Sequence, residues 1–159
     1  MPYIRDHLAG ARAAVEMLEH LSQEAGEPAV RELAGSLLVE VEADRGVLQQ
    51  LAEELGGGAS PVKEVAAWFG EKLSRLKLGG ATNGRAGLPL FEALEALGLG
   101  IQGKLALWQA LGVAAERDDR LTNLDYDALA RRALDQHGRV EACRIELARR
   151  VLAKPLPSQ

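Results

Sequence analysis

The chain has 159 residues, a formal net charge of −4, a single cysteine and only six aromatic side chains. That length lets one domain bury a core without disulfides, and a lone Cys143 forbids an intrachain bridge, so a reducing, cytoplasmic setting is expected. Abundant Leu, Ala, Glu and Arg with sparse Val and Ile favour helix. No Lys/Arg stripe with interleaved aromatics points to nucleic acid, and no apolar run is long enough for a membrane span.

The charge is unevenly spread. Residues 1–59 hold four basic and eleven acidic side chains, whereas residues 60–87 hold five and two. An acidic helical hairpin packing beside more basic elements of the same fold accounts for this. The opening, MPYIRDHLAGARAA, is charged within its first six residues and has no apolar core of signal-peptide length.

Taken in order, the first element spans about 3–24, with Ile4, Leu8, Ala11, Val15, Leu18 and Ser22 on one stripe. Gly26 and Glu27-Pro28 break it, and Pro28 suits the first turn of a second helix. There the stripe is Val30, Ala34, Leu37, Val41, Asp44, Leu48, Leu51 and Leu55, with spacings of four and three alternating without error. Asp44 is its one charged member. The regularity predicts an antiparallel hairpin of two long helices, stopped by Gly56, Gly57 and Gly58.

A connection of about 56–87 follows. Ser60-Pro61 opens a short helix with Val62, Val65, Phe69, Leu73 and Leu76 on one side, and the glycine-rich run from Gly79 to Gly87 ends it. Thirty residues suffice to cross the length of a bundle, which lets the flanking helices run parallel.

The central helix is LPLFEALEALGLGIQGKLALWQAL, residues 88–111, with Leu90, Leu94, Leu97, Ile101, Leu105, Trp108 and Leu111 on its buried face. Within it, Gly98 to Gly103 spells G-x-G-x-x-G and Gly98 to Lys104 spells G-x-x-x-x-G-K. Both motifs cradle phosphate only in a loop between a strand and a helix, and Leu105 stands where a magnesium-holding hydroxyl belongs. The glycines are therefore expected inside helix, with no nucleotide bound and Lys104→Ala without effect. A last helix starts near Asp125 and runs to about Ala153, with Ala130, Ala133, His137, Val140, Arg144, Leu147 and Val151 facing inward. The tail, about 154–159, is expected to be flexible.

Two long helices, a long crossover with a short helix, then two more long helices make a single all-α domain over 1–159. The order resembles the ferritin-like superfamily, rubrerythrin and bacterioferritin relatives included, an up-down-down-up four-helix bundle. The most telling local piece is VEVEADRGVLQQLAEELGG, residues 39–57, similar to family segments in which a metal-binding Glu precedes a Leu-rich turn and a Leu-Gly end. The resemblance implies a di-metal site with one Glu from each of two helices and a Glu-x-x-His from each of the others.

Carried over residue by residue, the site is depleted. Glu16 or Glu19 would supply the first carboxylate. Glu42 matches the second helix, but Arg45 stands at its His position, and a guanidinium is no metal ligand. Ile101 or Gln102 occupies the third helix's Glu position. His137 remains on the fourth, with Leu134 three residues before it. Glu16 or Glu19, Asp44, Arg45 and His137 then form a polar layer inside the bundle, or else Glu16, Glu19, Glu42 and Arg45 are solvated helix flanks and His137 is a satisfied core histidine. The function this implies is a structural or interaction module without a di-iron centre or other cofactor, and not an enzyme. The alternative is a metal-binding oxidoreductase or stress-related ferritin-like protein with an atypical iron or manganese site. A homodimer is expected, through a long helix face or through Trp68 and Phe69.

Overall fold

In the computed structural model, residues 1–56 and 87–153 are described. Among them are four α-helices and no strand: α1 (Pro2–Glu24), α2 (Pro28–Glu54), α3 (Leu88–Ala115) and α4 (Tyr126–Val151), with a 3₁₀ turn at Asp119–Leu121 before α4. The all-helical expectation is met there. The short crossover helix, the proposed contact through Trp68 and Phe69, and the tail fall outside the described residues. No helix among the described residues is long and apolar enough to cross a membrane.

Each helix begins and ends where local chemistry directs. Prolines occupy the first turns of α1, α2 and α3, where a missing N–H costs nothing. Asp125 caps α4 by accepting a 2.8 Å hydrogen bond from the Ala128 backbone N–H. Gly56 closes α2 at φ +74°, and Gly87 opens α3 at φ +109°. Gly87 is required twice over, because a Cβ there would also sit 3.0 Å from Val151 Cγ2.

The stripes decide the packing. On α2 every expected stripe member from Val30 to Leu51 is buried, and Leu55 is half-buried at the fraying end. On α3 the stripe is buried except for half-exposed Leu105, and Phe91, Ala93, Ala96, Gly98 and Leu107 widen it. That breadth makes α3 the most enclosed helix. Gly98, Gly100 and Gly103 all lie within it, so the phosphate motifs have no loop to act from.

α1 packs chiefly on α2, and α3 on α4, while narrower seams join α1 to α3 and α2 to α4. Residue pairs fix the alignment: Glu27 of α2's cap meets Arg150, Glu40 meets Arg139, Gly87 approaches Val151, and Gly112 lies against Tyr126. Met17, Leu18, Leu21, Leu37, Leu94, Leu97, Leu107 and Val140 fill the centre. Burying a Leu-sized side chain contributes about 1.5–3 kcal/mol, so the core members, and not helix propensity, hold the glycine-bearing α3 helical.

One expected face needs correction. The inward side of α4 is Tyr126, Leu129, Ala133, Gln136, Val140, Leu147 and Val151. Gln136 is fully buried, while His137 and Ala130 are only half-buried. Arg144, also expected inward, is half-buried with its guanidinium 5.2 Å over the Phe91 ring and hydrogen-bonded to Glu141 at 2.6 Å. The face keeps Ala133, Val140, Leu147 and Val151 of the expected stripe, and turns far enough toward Leu129 and Gln136 to bring His137 and Arg144 to its edge.

Candidate functional site

Asp44 is the charged interruption of the α2 stripe, and its side chain is 2 % exposed. A buried carboxylate must be paired or protonated. Here its two oxygens are claimed separately. Lys104 Nζ of α3 lies 2.5 Å from Oδ2, and Arg132 of α4 donates to Oδ1. Gln136 of α4 ties the group together: its amide oxygen accepts from Lys104, and its amide nitrogen donates to Glu40 at 3.0 Å and to Asp44 at 3.4 Å. Arg139 completes the layer with a 2.6 Å bond to Glu40.

Gln136 is suited to the buried position because its amide offers both an acceptor and donors, and this layer uses both. A histidine at that point would bring one donor and one acceptor in a fixed ring. His137 instead faces Gln102, with 2.9 Å between the Gln102 amide nitrogen and the imidazole Nε2. The electrostatics follow from the geometry. The Arg139 hydrogen bond holds the Glu40 carboxyl below its ordinary range against burial, with Gln136 assisting. Burial pushes the Lys104 ammonium below the ordinary lysine range, and Asp44 opposes that shift.

Beside this layer lies a cleft of about 340 Å³ among α1, α2 and α3. Ala11, Ala14, Val41, Leu48, Ile101, Leu107 and Trp108 make its apolar walls, and Asp44, Lys104 and Arg45 supply polar groups. Small residues create it: Gly10 on α1 and Gly100 and Gly103 on α3 present no side chain to the space. A Cβ added at Gly103 would meet only His7 Cε1, at 3.9 Å. Asp6 and His7 add polar groups from α1 to its lining, and burial lowers the His7 pKa while Asp6 opposes the shift.

Trp108 is wholly buried, and its indole N–H has no hydrogen-bond acceptor among the described residues. Tyr126 backs it at 6.5 Å between ring centroids, and Tyr126 is itself fixed by donating its hydroxyl proton to the Leu121 carbonyl at 2.8 Å. The 3₁₀ turn thus locks one wall of the cleft in place.

The residues singled out from sequence do not all converge. Glu16, Glu19 and Glu42 are exposed, and Glu16 pairs with Arg12 on α1's own surface at 3.1 Å. Their exposure is that of helix flanks, and neither Glu16 nor Glu19 joins an internal layer. Asp44 is in the layer, and Arg45 and Ile101 line the cleft next to it. His137 stands beside the layer, and Leu134 is 59 % exposed. Among the described residues no three His, Cys, Asp or Glu side chains gather closely enough to hold a metal ion.

Sequence reasoning missed Lys104, Gln136, Arg132, Glu40 and Arg139. The sequence motif accounts for Lys104 only as the end of a false phosphate loop, whose loss would be silent. Its contacts overturn that. The signal was present: Lys104 is the lone charge between Glu95 and Glu116 and lies at helical spacing from Ile101 and Trp108. Compared with family models, curated proteins and solved structures, the chain matches none.

Proposed function

We propose that this chain is a ferritin-like bundle whose centre is closed by ion pairs where di-metal relatives hold metal, and that it acts as a non-catalytic structural and binding module. The observation that carries this is the double engagement of Asp44, with Lys104 on one oxygen and Arg132 on the other. Cations of the chain neutralise the inward carboxylate, which is the role a metal would otherwise fill. The donor set agrees, since the carboxylates at Glu16, Glu19 and Glu42 point away from Asp44's layer into solvent.

The up-down-down-up path belongs to the same proposal. Glu27–Arg150 and Glu40–Arg139 support opposite directions for α2 and α4. Gly87–Val151 and Gly112–Tyr126 support the same for α3 and α4. α2 and α3 then run the same way, which a two-residue turn cannot connect and a crossover of thirty residues can.

Metal content is the test. Protein purified without chelator is expected to contain far less than one equivalent of iron, manganese or zinc, and EDTA is expected to leave its Tm unchanged, because no metal-binding free energy is linked to folding. Stoichiometric iron or manganese that disappears in His137→Ala would overturn the reading and put a metal-dependent oxidoreductase in its place.

A further inference from the structure

The cleft among α1, α2 and α3 has more chemistry than the bundle needs for stability. Its volume of about 340 Å³ falls in the range of small-molecule sites. At about 30 Å³ per water-sized unit, it admits roughly ten to twelve non-hydrogen atoms. Its walls are apolar, so they favour a hydrocarbon or aryl body.

The polar groups choose the sign of the ligand. Asp44 is already neutralised by Lys104 and Arg132, and Glu40 by Arg139. Arg139 also pairs with Asp135 at 3.0 Å, so the three cations of this layer face three carboxylates and the layer is balanced within itself. Arg45 is the cation left over. It is half-buried, lines the cleft, and has no hydrogen bond or ion pair among the described residues. Trp108, on the same lining, has an indole N–H that is buried without an acceptor. Against these, Asp6 is the one acidic side chain of the lining apart from Asp44 among the described residues, and burial shifts His7 toward its uncharged form, with Asp6 opposing.

We infer that the α1–α2–α3 cleft binds a small amphipathic carboxylate, of the size of a medium-chain fatty acid. The apolar body lies against Leu48, Ile101, Leu107 and Trp108, and the carboxylate takes the free donors of the lining, Arg45 foremost. A carboxylate matches a guanidinium fork in a way an alcohol does not. This rests on reading the bundle as a binding module. The two fail separately, because metal content is measured on the same preparation and does not enter the binding isotherm.

The test is calorimetric titration of the full chain with decanoate, decanol and decylammonium at matched concentrations below micelle formation. Decanoate is expected to bind with one-to-one stoichiometry, at least tenfold more tightly than decanol, and decylammonium more weakly than either. Arg45→Gln should weaken decanoate at least tenfold and leave decanol within about twofold, since it removes the charge and not the walls. Gly103→Leu should abolish both by filling the space, with the helical circular dichroism of each variant checked against the parent. Absence of decanoate binding, equal affinity for decanoate and decanol, preference for decylammonium, or an Arg45→Gln variant that binds decanoate as the parent does would each overturn the proposal.

Discussion

The two narrow seams of the bundle are built from opposite materials. Between α2 and α4, long charged side chains meet: Glu40 with Arg139, Asp44 with Arg132, and Gln136 bridging both carboxylates. Between α1 and α3, glycines and alanines face each other, and the space they leave is the cleft. The ionic seam fixes register, because each cation matches one carboxylate position. The glycine seam fixes nothing beyond distance, and that is what leaves room for a ligand. A protein can tolerate such an open seam when the other contacts of the same helix are extensive, and α3 buries its other faces against α4 and the central core.

Removing a wall of the cleft should do the greatest damage. Trp108 is fully buried between the cleft and Tyr126. Trp108→Ala is expected to cost about 3–5 kcal/mol, from lost burial and the cavity left behind. Urea melts would measure it. An unchanged midpoint would mean that the cleft side contributes no stability.

The ionic seam should respond less to truncation and more to its context. Asp44→Ala leaves Lys104 at 13 % exposure and Arg132 at 39 % without their shared carboxylate. The expected cost is about 3 kcal/mol, the low end for a broken buried pair, because Arg132 can turn to water. Adding Lys104→Met removes the stranded charge, and the double variant should recover at least about 1 kcal/mol of the loss. Additive losses in a denaturant double-mutant cycle would show that Asp44 and Lys104 are neighbours without being energetically coupled.

How far the sequence disclosed this arrangement depends on which face is concerned. α2 was legible residue by residue, because its stripe alternates four and three without a competing pattern, and Asp44 stood out as the exception. α3 was legible as a helix despite its glycines, since apolar spacing outweighs propensity when burial is extensive. α4 was not legible at its centre. Two stripes share Ala133, Val140, Leu147 and Val151, and a choice between Gln136 and His137 cannot be made from spacing alone. The resemblance to metal-binding bundles drew attention to the histidine, whereas the partner that Asp44 needs selects the glutamine. Lys104 is hidden for a related reason, since a local motif accounts for it without reference to its place on the helix face. Cross-helix pairing such as Asp44–Lys104–Arg132 spans sixty and eighty-eight residues, and no local pattern encodes it.

The smallest expected effect sets the open α1–α3 seam against the broad contact between α3 and α4. Glycine inside a helix costs about 0.5–1 kcal/mol relative to alanine, so a Gly→Ala change should stabilise wherever the new methyl finds room. At Gly103, on the open α1–α3 seam, the methyl would meet only His7 Cε1 at an ordinary 3.9 Å. Gly103→Ala is therefore expected to raise stability by about 0.5–1 kcal/mol. At Gly112, on the closed α3–α4 seam, the methyl would lie 3.2 Å from Tyr126 Cβ and 3.7 Å from its ring. A Cβ is anchored to backbone and cannot swing aside, and Tyr126 is held by its bond to Leu121. The helix-propensity gain at Gly112 should be offset by overpacking of about 1 kcal/mol or more, leaving Gly112→Ala no more stable than the parent. Thermal melts of the two variants under one buffer compare the seams directly. If Gly112→Ala gains as much as Gly103→Ala, then α3 and α4 are no more tightly apposed than α1 and α3, and the cleft owes nothing to its glycines.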